Sequence, residues 1–341
     1  MEDLLILGGD EISGLLEGRE QEMVSLVRRA YELHRNGADI TPPSSFLRFP
    51  DQRNRIIALP ALIEGARPAA GLKWVASFPG NLERGLERAS AVIILNCPQT
   101  GLPLAVLEGS IISAQRTAAS AALAAVHLHQ GRRPRLGLIG CGRINFEIAR
   151  FMQAVLGVHD LYVHDIQPQR AQFLADRLAQ RGLTVEILPR LEDVLAAAPL
   201  ISVATTAATP YINTLAGCTP ESTFLNISLR DFAADVVLHA DNVVDDLDHV
   251  CRENTSIHLA ALRSGHRDFV RCTLADVTTG SAPSRREPKT PVLFSPFGLG
   301  LLDLIMADTV VALARESGAG QRFGEFQPTP WVRSGASSGA R

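Results

Sequence analysis

Apolar and polar positions in the first third of the chain are spaced first as in a helix and then as in strands. Residues 20–36 carry apolar side chains at helical spacing and stop at Gly37, which predicts an amphipathic helix. Strand-like runs follow, with the sequences SSFLRF, RIIALPALI, GLKWVASF, SAVIILN and PLAVLEG. The turn-forming NCPQTG between the last two predicts a hairpin over residues 90–108. An alanine-rich helix is predicted next, from about residue 113 to residue 130.

The pattern changes at residue 135, where apolar strands begin to alternate with helical stretches. The predicted strands have the sequences RLGLIG, DLYVHD, TVEILP, LISVAT, TFLNIS and NVVDD. Unalternating apolar strands separated by helices are typical of a parallel sheet covered on both faces. We therefore expect an α/β fold with a doubly wound, Rossmann-type parallel sheet. A last long helix is predicted over residues 300–317, and the Ser- and Gly-rich tail, residues 331–341, is predicted to be disordered.

Length and composition narrow the class of protein. A chain of 341 residues with 46% hydrophobic and 20% charged residues is typical of a globular protein with two domains. The net charge of −3 predicts no binding to nucleic acid or to an anionic membrane surface. The sequence has no signal-peptide pattern and no membrane-spanning run, so a cytoplasmic protein is expected. The five cysteines form no CxxC pair and the nine histidines form no HExxH pattern, so no metal site is expected.

The strongest local motif is a glycine turn between the first strand of the second region and the helix after it. Gly140 permits a tight turn, and Gly142 lets a pyrophosphate approach the backbone at the helix N-terminus. Asn145 stands where the third glycine of a dinucleotide-binding motif usually lies. Asp165 ends the second strand, where an acidic side chain accepts hydrogen bonds from ribose hydroxyls and disfavours a 2′-phosphate. The motif therefore predicts NAD rather than NADP, a preference that Arg170 weakens. The alternative is a turn that only packs a helix against a strand.

Other residues at the same edge of the sheet are predicted to contact the cofactor, because polar residues just past the carboxyl ends of parallel strands face the ligand crevice. They are Arg143, Ile144 and Asn145 at the start of the helix, Thr205 and Thr206 after the strand LISVA, and Asn226 at the end of TFLN. Asp231, five residues beyond Asn226, is placed to take or give a proton there. Capping of the helix in FAADVVLHA is the alternative role for Asp231.

Three cations in the first region are candidates for holding an acidic substrate. Lys73 is one of only two lysines among the 33 Lys and Arg residues, and it lies in a strand-like run. Arg116 lies in the predicted first turn of the alanine-rich helix, where its side chain and free backbone N–H groups would bind one carboxylate together. Arg48 would share a strand face with Phe46 and Ser44. A surface arginine is the alternative for both Arg48 and Arg116.

Four motifs occur in an order that is typical of one known family: KWVASFPGN, AVIILNCPQTGLPLAVLEGSIISAQRTAASAALAA, GLIGCGRINFEIARF and LNISLRD. On these motifs the chain resembles the ornithine cyclodeaminase/mu-crystallin family over residues 1–330, and within it the branch that produces 2,3-diaminopropionate. The resemblance implies an α+β substrate-binding and dimerisation domain, residues 1–130 with residues 300–330. It implies a Rossmann NAD-binding domain over residues 131–299, and a homodimer that binds a small amino-acid substrate.

The resemblance also implies roles for three residues. By position in the family, Lys73 and Arg116 match the groups that bind the substrate carboxylate, Asp231 matches the acid/base, and Lys73 is expected to assist catalysis. The implied activity is NAD-dependent oxidative hydrolysis of N-(2-amino-2-carboxyethyl)-L-glutamate to L-2,3-diaminopropionate, 2-oxoglutarate and NADH, for siderophore or peptide natural products. An ornithine cyclodeaminase, a ketimine reductase and a nucleotide-binding protein without catalysis remain the alternatives.

Two departures from the family pattern concern the substrate. The usual glycines before the aspartate are replaced by Leu229 and Arg230, which suggests a further carboxylate in the substrate. The family's first substrate arginine aligns near Ser44, so Arg48, on the same strand face, is expected to take its place. Arg48 and Arg230 are therefore predicted to bind the substrate.

Overall fold

A computed structural model describes residues 3–51, 53–131 and 134–328 of the chain. The tail that the sequence predicts to be disordered, residues 331–341, lies outside the described residues. The first part of the chain contains β1 (Leu4–Leu7), α1 (Gly9–Leu16), α2 (Glu20–Arg35), β2 (Asp39–Ile40), β3 (Ser45–Arg48), β4 (Arg55–Ile63), β5 (Ala69–Ser77), β6 (Ala89–Asn96), β7 (Pro103–Glu108) and α3 (Ser110–Leu128). A short 3-10 helix, Pro79–Arg84, joins β5 to β6.

The second part alternates strands with helices, and the chain then returns to the first part. Its elements are β8 (Leu136–Ile139), α4 (Arg143–Leu156), β9 (Asp160–His164), α5 (Pro168–Ala179), β10 (Thr184–Ile187), α6 (Leu191–Ala197), β11 (Leu200–Val203), β12 (Thr223–Asn226), α7 (Ala234–His239), β13 (Asp241–Val244), α8 (Leu247–Val250), α9 (Ser256–Ser264), β14 (Val270–Thr273), α10 (Leu274–Thr278) and β15 (Val292–Ser295). The returning elements are α11 (Gly300–Ser317) and β16 (Gln321–Phe323).

The first sheet is built mainly from antiparallel neighbours. Its strand order is β16-β1-β7-β6-β5-β4-β2, with β3 also paired to β4, and only β1 and β7 run parallel. Helix α11 packs on one face of β4, β5 and β6. The opposite face presents Trp74 and Val92, which are paired in register and each 40% exposed. The sheet therefore has one face in the core and one apolar face toward solvent.

Two features of this sheet bear on the sequence predictions. The hairpin predicted over residues 90–108 is confirmed as the antiparallel pair β6 and β7. Helix α3 begins at Ser110, earlier than predicted, because Glu108 caps it from the preceding strand. The Glu108 carboxylate accepts hydrogen bonds from the N–H groups of Ser110 and Ile111 at 2.7 and 3.1 Å. It thereby satisfies two of the free N–H groups of the first turn.

The second sheet confirms the doubly wound parallel prediction. Its order is β10-β9-β8-β11-β12-β15-β13-β14, and every pairing in it is parallel. The chain passes outward from β8 on both sides, so β8 and β11 lie at the point where the strand order reverses. Ligands of such sheets bind in the crevice at the carboxyl ends of these strands.

The two sheets are joined through helices and through charged contacts. Helix α3, which is buried nearly all round, packs on α4 from the second part and on α2 and α11 from the first. The ring of His34 lies 3.1 Å from Asp39 and 3.2 Å from Asp246, and hydrogen bonds to Asp246 and Asp39 raise the pKa of His34 to about 10. His34 is thus a protonated link between the β2 edge and the loop after β13.

Candidate active site between the two sheets

The glycine turn after β8 is shaped as a cradle. Gly140 has φ +88°, and a Cβ on it would lie 2.5 Å from the carbonyl oxygen of Ala204, so only glycine fits there. Gly142 precedes α4 in an extended conformation, and the nearest atom to a Cβ on it would be Nη2 of Arg170 at 3.9 Å. The space above Gly142 is therefore open, at the start of a helix whose first N–H groups can bind a phosphate.

Asn145 lies beneath this turn and holds it in shape. Its Nδ2 donates to the carbonyl oxygens of Ile139 and Gly140 at 3.0 and 2.7 Å, and its Oδ1 accepts from Ser202 at 2.7 Å. The side chain is fully buried. Its polar atoms are thus engaged within the protein. The side chain of Asn145 therefore positions the turn, and a contact of this residue with the cofactor stays a prediction.

Asp165 is held beside the same turn. Its Oδ2 accepts a hydrogen bond from the N–H of Cys141 at 2.7 Å, and its Oδ1 accepts one from the N–H of Gln167 at 2.9 Å. Each oxygen keeps lone pairs for a ribose hydroxyl. The next residue, Ile166, is a large apolar side chain that is 91% exposed. Sequence reasoning missed Ile166, whose only signal is an apolar residue directly after the acidic one.

The other predicted cofactor residues lie at the same edge. Arg143 is exposed on the first turn of α4, and Ile144 packs partly on the core. Thr206 is exposed just beyond β11. Asn226 is buried at the end of β12, where its Nδ2 donates to Ser295 at 3.1 Å and its Oδ1 has no hydrogen-bond partner among the described residues. Residues on several strand ends therefore converge on one crevice.

Asp231 is fully buried next to that crevice. Its Oδ1 accepts a hydrogen bond from Thr205 Oγ1 and its Oδ2 accepts one from Ser228 Oγ, both at 2.5 Å. Helix α7 begins three residues later with Ala233 at its cap, so the alternative in which Asp231 caps this helix is wrong. Two hydroxyl donors thus orient the carboxylate in a pocket at the end of β11 and β12.

Tyr211 is a residue near Asp231 that sequence reasoning missed. Its N–H donates to the carbonyl oxygen of Asp231 at 3.0 Å. Burial, together with the negative charge of Asp231, raises the pKa of the Tyr211 hydroxyl. The hydroxyl therefore stays protonated at neutral pH beside the carboxylate.

Lys73 and Arg116 share one buried carboxylate, that of Asp303 on α11. Lys73 Nζ lies 2.6 Å from Oδ2, and Arg116 Nε lies 3.1 Å from Oδ1. Lys73 is 2% exposed and Asp303 is fully buried. Burial, with repulsion from Arg116, lowers the pKa of Lys73 to about 8, although the attraction of Asp303 opposes the shift. Two cations with one carboxylate leave a net positive charge that an incoming carboxylate would balance.

The structure corrects one prediction about Arg116. Because α3 begins at Ser110, Arg116 is its seventh residue and not part of its first turn. The free N–H groups of that turn therefore do not join its guanidinium in binding an anion. Gly298 packs against this guanidinium instead, since a Cβ on Gly298 would lie 2.9 Å from Nη1. Asp303 was missed in the sequence, where its signal was a carboxylate flanked on both sides by apolar residues near the start of the last helix.

Arg48 and Arg230 come together around Glu253, in the loop between α8 and α9. Arg48 Nη2 lies 2.5 Å from Glu253 Oε2, and Arg230 donates to the carbonyl oxygen of Glu253 from Nε at 3.2 Å and from Nη2 at 2.6 Å. Arg48 also lies over the ring of Phe46, 5.1 Å from its centroid, as their shared strand face predicts. Burial, then the charges of Arg230, Arg88 and Arg48, lowers the pKa of Arg55. The group is therefore short of negative charge.

The register of the first sheet puts one cation of each group, Lys73 and Arg48, on the same face. Lys73 pairs with Leu59 on β4, and Arg55, four residues before Leu59, pairs with Arg48 on β3. Residues directly opposite each other share a face, and so do residues four apart on one strand. Four residues along a strand correspond to roughly 13 Å. Lys73 and the pair Arg48 and Arg55 therefore lie on the same face of the sheet, about this distance apart along the strands.

A metal-binding cluster and a membrane-spanning helix are both absent from the part of the chain that the structure describes. No group of three or more His, Cys, Asp or Glu side chains there is arranged to hold a metal ion. None of the helices there is long and apolar enough to cross a membrane.

Comparisons with known proteins agree with this geometry. The profile of the ornithine cyclodeaminase/mu-crystallin family matches residues 11–318. The chain is 28% identical to the N-((2S)-2-amino-2-carboxyethyl)-L-glutamate dehydrogenase of Staphylococcus aureus, over 93% of this chain and 97% of that protein.

Solved structures are similar over the whole fold. The Δ1-pyrroline-2-carboxylate reductase of Thermococcus litoralis, in complex with NADH and L-proline, has a TM-score of 0.88 at 25% identity and covers 93% of this chain and 99% of its own. An archaeal alanine dehydrogenase dimer with bound NAD has a TM-score of 0.86 at 25% identity, over 95% of this chain and 100% of its own. The names of these relatives describe different substrates, so the side chains of the site are what distinguishes one substrate from another in this chain.

Proposed function

The chain belongs to the ornithine cyclodeaminase/mu-crystallin family, and on that premise we propose that it is an NAD-dependent enzyme acting on a carbon–nitrogen bond. The specific substrate proposed is N-(2-amino-2-carboxyethyl)-L-glutamate, a secondary amine that carries several carboxylates. The observation that carries the proposal is the pair of cationic groups, one around Asp303 and one around Glu253, each with a cation on the same face of the first sheet. The relative from Staphylococcus aureus, named for this substrate, supports it.

The cofactor is proposed to be NAD, in line with the solved relatives that hold NADH or NAD. The open space above Gly142 and the positive end of α4 suit its pyrophosphate. The Asp165 carboxylate suits the ribose hydroxyls, and the exposed Ile166 suits the apolar face of the adenine. Bound NAD would accept the hydride of the glutamyl Cα, the carbon bonded to the amine nitrogen.

Lys73 and Arg116 are proposed to bind the glutamyl α-carboxylate. This carboxylate would complete the charge balance of a site that holds two cations and one carboxylate. Because Asp303 holds both cations in place, no rearrangement is needed when the substrate arrives. Such positioning is a large part of what an enzyme contributes to a reaction of this kind.

Asp231 is proposed to be the acid/base. It would remove the proton from the secondary amine as the hydride leaves the glutamyl Cα, and would later assist the water that attacks the resulting imine. The carbinolamine then breaks at its carbon–nitrogen bond. The overall reaction consumes the amine, NAD and one water, and yields L-2,3-diaminopropionate, 2-oxoglutarate, NADH and one proton. The hydroxyls of Thr205 and Ser228 aim the carboxylate for these transfers.

Arg48 and Arg230, with Arg55 behind them, are proposed to bind the distal carboxylate of the substrate. An arginine cluster attracts a carboxylate and repels an ammonium group. Ornithine carries an ammonium group at the equivalent end, so this cluster argues against an ornithine cyclodeaminase. The family name keeps that activity as the second candidate.

The assay that tests the proposal follows NADH absorbance with purified protein, NAD and N-(2-amino-2-carboxyethyl)-L-glutamate, with ornithine in parallel. We expect NADH and 2-oxoglutarate from the glutamate adduct only. Proline and ammonia from ornithine without net NADH would establish the cyclodeaminase instead. The variant Asp231→Asn should lower kcat by about 10²- to 10⁴-fold while NADH binding, followed by fluorescence, stays unchanged. Near-normal turnover by this variant would refute the assignment of Asp231.

The protein is also proposed to form a homodimer. The outer face of the first sheet carries Trp74, Val92 and Ile6, each about two-fifths exposed, and apolar strand faces of this kind mark protein interfaces. The archaeal alanine dehydrogenase relative is a dimer. Light scattering on the purified protein tests this, and Trp74→Glu should yield monomers.

A further inference from the structure

We propose that Glu253 is an internal substitute for the distal carboxylate of the substrate: it occupies the arginine cluster in the free enzyme and leaves when a dicarboxylic ligand binds. This rests on the proposed function, in which Arg48 and Arg230 receive that carboxylate. In this arrangement Glu253 is a specificity-determining residue. Ligands without a second anionic group cannot displace it and gain nothing from the cluster.

The geometry of Glu253 is that of a carboxylate bound to arginine. Its Oε2 accepts from Arg48 Nη2 at 2.5 Å, and its own carbonyl oxygen accepts from two nitrogens of Arg230. Charge-assisted hydrogen bonds between a guanidinium and a carboxylate are the contacts by which arginine recognises carboxylates. Arg48 thus already makes, within the protein, the contact that is proposed for the substrate.

The contact is exchangeable, because both partners reach solvent. The side chain of Arg48 is 47% exposed and that of Glu253 is 19% exposed, whereas the carboxylate of Asp303 is fully buried. An exposed pair of this type contributes about 1 kcal/mol or less to stability. An incoming carboxylate that also reaches Arg55 and Arg230 can therefore replace it.

The charge count favours a second anion over Glu253 alone. Arg48, Arg55 and Arg230 carry three permanent positive charges, against which stand two carboxylates, that of Glu253 and that of Asp231 beside Arg230. Burial and neighbouring arginines lower the pKa of Arg55, as expected where cations are not fully neutralised. The cluster therefore still attracts anions while Glu253 is in place.

The backbone around Glu253 holds it at this position. Glu253 and Asn254 have φ +56° and +53°, two consecutive left-handed residues that are not glycine. Leu229, which precedes Arg230, has φ +78°, and its carbonyl oxygen accepts from the N–H of Ser256 at 2.6 Å. The two loops are therefore fixed against each other in conformations that favour contact between Arg230 and Glu253. Such conformations persist only where surrounding contacts maintain them.

The test compares ligands that differ only at the distal end. Binding of 2-oxoglutarate and of pyruvate to the NADH-loaded protein is measured by calorimetry, in wild type and in Glu253→Gln. Glutamine keeps the size of the side chain but removes the competing charge. We expect Glu253→Gln to bind 2-oxoglutarate about three- to tenfold more tightly and pyruvate with unchanged affinity. An internal competitor lowers the apparent affinity in proportion to the fraction of sites that it leaves free, so this gain corresponds to Glu253 occupying roughly two-thirds to nine-tenths of the sites.

Two further variants serve as controls. Asp235→Asn removes the same charge from an exposed pair with Arg263, at the start of α7, and should change neither affinity. Arg48→Gln combined with Glu253→Gln should lose the gain for 2-oxoglutarate, because the released arginine is no longer present. Thermal unfolding curves of each variant confirm that the fold is retained.

Three results would overturn the proposal: weaker or unchanged 2-oxoglutarate binding in Glu253→Gln, equal tightening for both ligands, or the same gain in Asp235→Asn. The outcome is separable from that of the proposed function, because it is a binding measurement that needs no turnover. An enzyme that oxidises the glutamate adduct but shows no effect of Glu253→Gln keeps the proposed function and loses this inference. If Glu253→Gln binds 2-oxoglutarate more tightly but the enzyme does not oxidise the glutamate adduct, this inference stands and the proposed function is refuted.

Discussion

The two cationic groups of the cleft use the same chemistry at very different depths. Around Asp303, Lys73 and Arg116 are held by a carboxylate that no solvent reaches. Around Glu253, Arg48 is held by the carboxylate, which is partly exposed, and Arg230 is held by the backbone carbonyl oxygen of the same residue. A buried carboxylate cannot leave without exposing two unpaired charges in the core, so it is a permanent part of the site. A carboxylate at the surface can be exchanged with a ligand.

Under the proposed function, this difference in depth gives the two groups separate tasks. The group around Asp303 is rigid and suits the α-carboxylate that all amino-acid substrates share. The group around Glu253 is adjustable and suits the part of the substrate that varies.

The largest expected effect is on stability and comes from Asp303→Asn. Removing the buried carboxylate leaves Lys73 and Arg116 without a partner, which typically costs 3–5 kcal/mol of folding free energy, on the order of a third or more of a domain's total. Glu253→Gln should cost about 1 kcal/mol or less. Urea unfolding followed by circular dichroism measures both. Similar losses in the two variants would contradict the distinction between the two groups.

The next effect is a pH dependence of kcat/KM that comes from Lys73, in the group around Asp303. The pKa of Lys73 is about 8, below the ordinary value for lysine, because of burial and the charge of Arg116. Lysine must be protonated to bind a carboxylate, so kcat/KM should fall as the pH rises through about 8. Lys73→Arg should move this fall to a much higher pH, because arginine stays charged. An unchanged profile in Lys73→Arg would assign the fall to another group.

The same lowered pKa also affects stability, with a definite sign. The folded protein releases the Lys73 proton near pH 8, whereas the unfolded chain holds it until its ordinary value near 10.5. Between these values the unfolded state binds more protons, so this group makes the free energy of unfolding rise with pH. The His34 link acts in the opposite direction, because its pKa is raised to about 10 and its contribution is lost as the pH approaches that value.

The smallest expected effect tests the role of Arg48 in the group around Glu253. Arg48→Gln should raise KM for the glutamate adduct several-fold at low ionic strength and leave kcat nearly unchanged. The increase should shrink at about 0.5 M salt, because the side chain is half exposed and its charge is screened there. Steady-state kinetics at two salt concentrations measures this. A lower kcat with unchanged KM would instead place Arg48 in the chemical step.

The elements of the fold were predictable where a periodic pattern was strong. The last helix, residues 300–317, and the first six parallel strands, β8 to β13, lie where the sequence predicts them, whereas β14 and β15 were not predicted. The start of α3 was not predictable from the sequence. The Glu108 carboxylate, from the preceding strand, caps this helix through a contact that no local pattern reveals. The strand β1 was missed for a related reason: its short run, residues 4–7, becomes a strand by pairing with β7 and β16 from distant parts of the chain.

The residues of the candidate site also fall into those that the sequence predicts and those that it does not. The glycine turn, Asp165 and Asp231 follow strand ends, so the order of elements is enough to bring them to one crevice. The partners of Lys73 and Arg48 are not deducible in this way, because Asp303 and Glu253 lie 230 and 205 residues further along the chain.

The sequence by itself determined the parallel sheet, the glycine turn and the types of residue that do chemistry, because these follow from local periodicity and backbone requirements. Tertiary structure alone decided which carboxylate neutralises which cation, and how deeply each pair is buried. Depth is a property of the packed elements around a side chain and not of the residue itself, and it sets both the dielectric environment and the freedom to exchange. That is why Asp303 and Glu253, two carboxylates of similar chemistry, differ so much in what they do here.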